Sequence, residues 1–328
     1  INEVLQDKQF IMGPQIKELE ERLAAVAGRK YCLACASGTD ALIIPLMAYQ
    51  LKATDAVFVP SFTFYASAES VNLAGGTPVF VDSDTTYNID PKALREAIEN
   101  VKREGRLTPR GIIPVDLFGL AADYDAILQI ADEYGLFVLE DAAQGFGGSQ
   151  NGKKNGSFGQ VAATSFFPAK PLGCYGDGGA IFTDDDSLYS LMHSIRVHGQ
   201  GSDRYDNVRI GVNGRMDTLQ AAVLLSKLAI FEQEMESRQR IAQAYRAQLD
   251  GAFELPVIPQ NSVSAWAQFT LMANSQASRD SIVSGMKAKG IPIMIYYPIP
   301  LHMQTAYRYL NYRSGDLPVC EDMARRVF

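Results

Sequence analysis

Apolar residues at Ile16, Leu19, Leu23 and Val26 recur at helical spacing with Gly28 as a stop, which predicts a helix over 15–27. Ser37-Gly38-Thr39-Asp40 opens a second helical run, ALIIPLMAYQ, in which Pro45 is expected to kink the helix or shift its boundary. Short apolar runs predict strands over 56–59, 77–81, 111–115, 136–139 and 161–167, with helices over 64–73, 91–100 and 123–134 between them. This alternation predicts an α/β fold, a mostly parallel sheet with helices on both faces. Ligands of such sheets lie beyond the carboxyl ends of the strands. The pattern changes after Asp217: one long helix is expected over 218–249, then a strand over 266–272, a helix over 278–287 and a strand over 291–295. A large domain over 1–230 and a smaller α/β domain over 231–328 follow from that change.

Composition narrows the class. With 328 residues, 47% hydrophobic and 20% charged, the chain is a globular protein rather than a disordered one. The balance of 30 Lys+Arg against 37 Asp+Glu, net −7, argues against general affinity for nucleic acid or an anionic membrane, while leaving room for a local phosphate pocket. Cys32 and Cys35 form a C-x-x-C without a second pair or His-ligand spacing. With Cys174 and Cys320 they read as small buried hydrophobes, not metal ligands, in a cytoplasmic protein. The opening INEVLQDKQFIMGPQ is no signal peptide and has no initiator Met, so a start inside a longer protein is expected.

Two nucleotide motifs fail. Gly145-Phe146-Gly147 lacks the third glycine of a dinucleotide fingerprint, because position 150 is Gln150. The P-loop-like run from Gly147 ends in Lys154 where a hydroxyl must hold magnesium. Asn151-Gly152 and Asn155-Gly156 instead predict hairpin turns.

Three strand ends carry more. The turn Ala36-Ser37-Gly38-Thr39-Asp40 offers a close backbone approach and the free N–H groups of a helix start, which suit an anion and equally suit a plain cap. Glu140 and Asp141 end an apolar strand, where a buried carboxylate needs a cationic partner; a structural ion pair is the default reading. Lys170, between Pro168 and Pro171 and before a glycine-rich run, sits in a setting that a merely solvating lysine does not need. An anion cradle, a carboxylate for a ring nitrogen and a lysine for a Schiff base are together what pyridoxal phosphate requires.

The segments CASGTDAL, VPSFTF, VLEDAAQ, TSFFPAKPLGCYGDGGAIFT, GVNGRMDTLQAA and YYPIPLH, in this order over nearly the whole chain, resemble the DegT/DnrJ/StrS family of nucleotide-sugar aminotransferases. The resemblance implies the aspartate aminotransferase fold (type I of the pyridoxal-phosphate transferases), a homodimer with shared active sites, a nucleotide keto-sugar as substrate and glutamate as amino donor. By motif it makes Lys170 the Schiff-base lysine and Asp141 the partner of the pyridine nitrogen. It puts Gln144 near the ring hydroxyl, Gly38, Thr39 and Ser165 on the phosphate, and Phe64 over one ring face. Asn213 is expected to reach the phosphate of the other subunit's cofactor. Phe64 as plain core and Asn213 as a turn residue are the bland alternatives.

Within the family, PLGCYGDGGA and RVHGQG most resemble the branch that aminates C3 of UDP-2-acetamido-2-deoxy-3-oxo-glucuronate, with C4 amination of another keto-sugar as the alternative. Such a uronate needs a cation, for which Arg196, Arg209 and Arg215 are candidates; Tyr297, His302 and His198 are further substrate candidates. The chain departs from the family in the leader before IMGPQ, in ending at Phe328 before the last strand and helix of the small domain, and in Pro45. Its rivals are a sugar dehydratase, in which histidine replaces the lysine, and a non-catalytic sugar-nucleotide sensor. Lys170 argues against the first and the complete motifs against the second.

Overall fold

The computed structural model describes residues 1–203 and 205–328. In chain order the elements are α1 (Asn2–Asp7), α2 (Pro14–Ala27), β1 (Tyr31–Cys35), α3 (Gly38–Ala48), β2 (Asp55–Pro60), α4 (Ala66–Leu73), β3 (Thr77–Val81), α5 (Pro91–Glu104), β4 (Thr108–Ile112), α6 (Tyr124–Tyr134) and β5 (Phe137–Asp141). There follow β6 (Ser149–Gln150), β7 (Lys153–Lys154), β8 (Val161–Ser165), β9 (Gly179–Thr183), α7 (Asp186–Arg196), α8 (Thr218–Leu228), α9 (Phe231–Leu249), β10 (Ser262–Val263), α10 (Gln276–Ala288) and α11 (Pro318–Arg326).

Seven strands form the central sheet in the order β1-β9-β8-β5-β4-β2-β3. The pairings β2–β3, β2–β4, β4–β5 and β5–β8 are parallel, and β9 runs antiparallel to both its neighbours. The expected mostly parallel sheet is therefore present. Alternation along each strand splits the core. Val57, Val59 and Leu139 pack with the apolar side of α3, α4 and α7, while Ala56, Phe58 and Val138 pack with Leu94, Ile98 and Ile127 of α5 and α6. Beyond them α2 and α8 close over Phe146, Phe166 and Phe182. The same alternation sends Glu140 and Asp141 to opposite faces of β5.

The helix signals act as the chemistry requires. Pro14 occupies the first turn of α2, and Gly28 ends it in the left-handed conformation at φ 69°. The Ser37 hydroxyl caps α3 by accepting from Asp40 N–H at 3.0 Å. Helix α3 runs on through Pro45 to Ala48, without the expected boundary shift; it is wedged against α4, α7, β8 and β9, which hold it where an isolated helix would break.

Several expectations are corrected. The stretch over 218–249 is two helices, interrupted at Ala229 and Ile230. Residues 266–272 and 291–295 form no strands; the first makes only single bridges, Met272 to Glu254 and to Val327, so no neighbouring strand completes a ladder. Only Asn151-Gly152 joins two strands, whereas Asn155-Gly156 is a turn leaving the edge strand β7. Two strands, β1 and β9, lie where none was expected. The C-terminal segment packs back on the sheet: Cys320, Met323 and Val327 meet Phe62, Tyr87 and Val115.

Candidate active site

The site is built at the carboxyl ends of β1, β2, β5 and β8. The turn after β1 leads into α3, whose Gly38 and Thr39 N–H groups have no partner among the described residues. A helix start of this kind favours an anion through its unpaired donors and its dipole. Ser165, the last residue of β8, lies directly against it: a Cβ placed on Gly38 would stand 2.5 Å from Ser165 Cβ and 2.8 Å from its Oγ. Glycine is thus required at 38 for the two turns to touch. A residue at 179 with a Cβ would likewise strike Ser37 O at 2.3 Å, which brings β9 up under the same turn.

Asp141 ends β5 and is 5% exposed. Its Oδ2 accepts from Ser67 Oγ at 2.8 Å and its Oδ1 from Ala143 N–H at 3.2 Å. Burial pushes its carboxyl up, against the pull of Ser67, Ala143 and the Lys170 charge. Lys170 follows β8 in a turn closed by its own N–H donating to Phe167 O at 2.8 Å. Burial holds its amine below the usual lysine range, with the Asp141 charge opposing. Its Nζ has no hydrogen-bond partner among the described residues, so a depressed, unpaired amine faces a buried carboxylate.

Gln144 lies three residues past Asp141. Its Oε1 accepts from Phe118 N–H at 2.7 Å, and its Nε2 donates to the Tyr297 hydroxyl at 3.1 Å. Tyr297 stands with its ring centroid 6.1 Å from that of Phe64. Phe64 is 52% exposed in the turn after β2, which removes the plain-core reading.

Glu140 serves the scaffold instead. Its two oxygens accept from Gly156 N–H and Phe158 N–H, both at 2.6 Å, and the carboxyl is wholly buried. Burial raises it to about 7, and Asp116 beside it is pushed well above the usual carboxylate range by burial and by the Glu140 charge. Among the described residues neither acid has the default ion pair: hydrogen-bond donors satisfy both.

The substrate candidates separate. Arg215 donates through Nε to Asn213 Oδ1 at 3.0 Å, and both line a cavity of about 440 Å³ together with Ala36 and Asp177. Ala36 N–H donates to Gly214 O at 2.9 Å, so this segment runs beside the anion turn. Arg196 is corrected: at 1% exposure it donates to Glu20 Oε1 at 2.6 Å and Ala34 O at 2.7 Å, binding α2 to β1 rather than facing ligand. Arg209 is held by the Ser194 hydroxyl. His302 is also corrected. It is 2% exposed, with Nδ1 2.6 Å from Ser61 Oγ and Nε2 3.3 Å from Glu321 Oε1, and so bolts the C-terminal segment to the end of β2. His198 sits in a left-handed loop position, its backbone tied to Val212 and Asn207. All four cysteines are buried free thiols.

Sequence reasoning missed Ser67, which no motif marks, and Lys227, whose Nζ donates to Gly173 O at 2.6 Å and ties the loop of Lys170 to α8. A partner three elements away leaves no local signal.

These residues fit pyridoxal phosphate. The close turn at Gly38 and Ser165 suits an anion, and among the described residues Asp141 is a buried carboxylate without a hydrogen-bonded cation and Lys170 an amine without a hydrogen-bond partner. Fold and site together define a pyridoxal-phosphate-dependent transferase. The chain matches the DegT/DnrJ/EryC1/StrS aminotransferase family over residues 1–328 and belongs to it. It is 48% identical, over all of its length and 88% of the relative's, to a UDP-2-acetamido-2-deoxy-3-oxo-D-glucuronate aminotransferase of Pseudomonas aeruginosa. Among solved structures, a DegT DnrJ EryC1 StrS aminotransferase from Brucella abortus superposes with TM-score 0.96 at 50% identity, covering 99% of this chain and 87% of that one. The ntda protein of Bacillus subtilis, solved with bound cofactor PMP, superposes with TM-score 0.90 at 32% identity, covering 99% of this chain and 74% of that one.

Proposed function

We propose that this aminotransferase moves an amino group from glutamate to C3 of UDP-2-acetamido-2-deoxy-3-oxo-glucuronate. The observation that carries the reaction class is the pairing of a depressed, unpartnered Lys170 amine with the buried Asp141 carboxylate at the ends of adjacent parallel strands. The sugar is supported by the 48% identity to the Pseudomonas aeruginosa relative and by Arg215, a guanidinium on the cavity wall able to receive a uronate carboxylate.

When bound, pyridoxal phosphate supplies an electron sink for the bonding pair released at the amino-bearing carbon. The residues of the chain do the rest. Gly38 and Thr39 N–H with the Ser165 hydroxyl hold the phosphate. Asp141 keeps a proton on the ring nitrogen, and Phe64 covers a ring face. Lys170 Nζ, its amine lowered by burial, would move the proton at the α-carbon of glutamate and, in the second half, at the sugar carbon. Gln144 and Tyr297 fix the far wall.

The enzyme is read as a cytoplasmic homodimer in which Asn213, exposed at the mouth of its cavity, completes the partner's phosphate site. Residues 1–230 form the cofactor-binding domain and 231–328 the small domain. Among the described residues no helix is long and apolar enough to cross a membrane. The test is incubation of the pyridoxal-phosphate-loaded protein with the 3-oxo sugar nucleotide and glutamate. Formation of the 3-amino sugar and 2-oxoglutarate supports the reading; turnover only with a 4-keto-sugar nucleotide moves the amination to C4.

A further inference from the structure

Asp141 is held by a serine that belongs to no motif, and that serine is itself backed by a second hydroxyl. Ser67 lies in the first turn of α4 and is 1% exposed; Thr63, 2% exposed, belongs to the same turn that carries Phe64. Thr63 Oγ1 lies 3.3 Å from Ser67 Oγ, and Ser67 Oγ lies 2.8 Å from Asp141 Oδ2. A carboxylate oxygen only accepts, so Ser67 must donate to it, which leaves its own oxygen to accept from Thr63. The two O–H groups therefore point the same way, each polarising the next toward the carboxylate.

We propose that Ser67, backed by Thr63, is the positioning residue that holds the Asp141 carboxylate in place for the cofactor's ring nitrogen. This rests on the reading of Asp141 as the partner of the cofactor's ring nitrogen. The groups facing Asp141 are Lys170 from the loop after β8, the Tyr297 phenol from the C-terminal segment and the buried Tyr124 phenol of α6. Lys170 favours the charged carboxylate, but its own amine is depressed and is committed to the substrate side. Neutral phenols add no charge. Ser67 and Ala143 are thus the donors left to stabilise Asp141 as an anion against its burial. Ser67 also couples that charge to the Phe64 turn, so covering the ring and charging its nitrogen are set by one short segment.

The test titrates pyridoxal phosphate into the apo-protein by absorbance between pH 5.5 and 9 for wild type, Ser67→Ala, Ser67→Thr, Thr63→Val and Asp141→Asn. Losing one donor to a buried carboxylate moves its ionisation up by about one pH unit. Ser67→Ala is expected to bind progressively more weakly as the pH falls, by up to about tenfold, and to approach wild type toward pH 9. Its kcat falls with an unchanged KM for glutamate. Thr63→Val shifts the same way by less, and Ser67→Thr restores binding. An equal loss at every pH means that Ser67 only fills space, and it overturns the inference. So does a wild-type pH dependence in Ser67→Ala beside an impaired Asp141→Asn. If Asp141→Asn itself binds and turns over like wild type, the reading of the site falls instead. Should Ser67→Ala fail to fold, Thr63→Val carries the same comparison.

Discussion

Gly38 and Ser165 meet so closely that a single methyl on Gly38 would stand 2.5 Å from Ser165 Cβ and 3.2 Å from its Cα. Two strand ends far apart in sequence are thereby pressed into one anion cradle. A Gly38→Ala variant must push β8 and α3 apart. We expect it to fold, because the strain is relieved at an open cleft, and to bind pyridoxal phosphate at least about tenfold more weakly, the loss of one well-placed charged hydrogen bond. Absorbance titration of the apo-protein measures this, and unchanged affinity would remove Gly38 from the cradle.

The role proposed for Asp141 carries a cost in the empty protein. Its carboxyl is raised in the fold, so its contribution to stability is present below its unfolded value and is lost as the pH rises through the folded one. At pH 7.5 Asp141→Asn is therefore expected to raise the melting temperature of the apo-protein, with the difference vanishing near pH 4. Asparagine still accepts from Ala143 N–H and can donate to Ser67 Oγ. Turnover of the loaded variant should fall by ~10² or more, typical for one electrostatic catalytic group. A lower apo melting temperature with normal turnover would contradict both halves.

Glu140 sets a slope in stability over neutral pH. Its ionisation lies near 7 in the fold, above its ordinary value, so the protein loses stability as the pH rises from about 4.5 to about 7. Glu140→Gln is expected to be less stable overall, because one of the Gly156 and Phe158 N–H groups loses its acceptor. Its stability should nonetheless be flatter across that window. Denaturant unfolding at pH 5, 6 and 7.5 provides the comparison, and parallel wild-type and variant curves would refute it.

The proposed sharing of sites between two chains predicts complementation. Lys170→Ala and Asn213→Ala chains, dissociated and reassociated together, should yield heterodimers with one site carrying both defects and one carrying neither. Activity up to about half of wild type per heterodimer is expected if sites act independently. Heterodimers that form but show no gain over either parent would place Asn213 in its own chain's site.

The chain announces its sheet and the chemistry at the strand ends, because period-two runs and rigid turns are local features. Asp141 acts on Lys170 through its charge, and Gln144 meets Phe64 by way of Tyr297, so these motif residues lie near one another in the fold. What escaped is set by distant partners. YCLAC and GAIFT, beside cysteine and glycine signals, become β1 and β9 because they pair with each other, β9 pairing also with β8. Residues 266–272 are apolar enough for a strand yet lack a neighbour to pair with. Arg196 and His302 had ligand-like chemistry in sequence, and only their burial against Glu20, and against Ser61 and Glu321, reveals scaffold roles. The break at Ala229–Ile230 carries no glycine or proline to mark it.

The central claim is that Lys170 carries the cofactor and works as its proton carrier. Borohydride reduction of the pyridoxal-phosphate-loaded protein, followed by proteolysis and peptide mass measurement, tests it directly. The account predicts a phosphopyridoxyl mass on the peptide of Lys170 alone, and none when glutamate has first bleached the visible band. Label on a different lysine, or a Lys170→Ala protein that still transaminates within a few-fold of wild type, would contradict it.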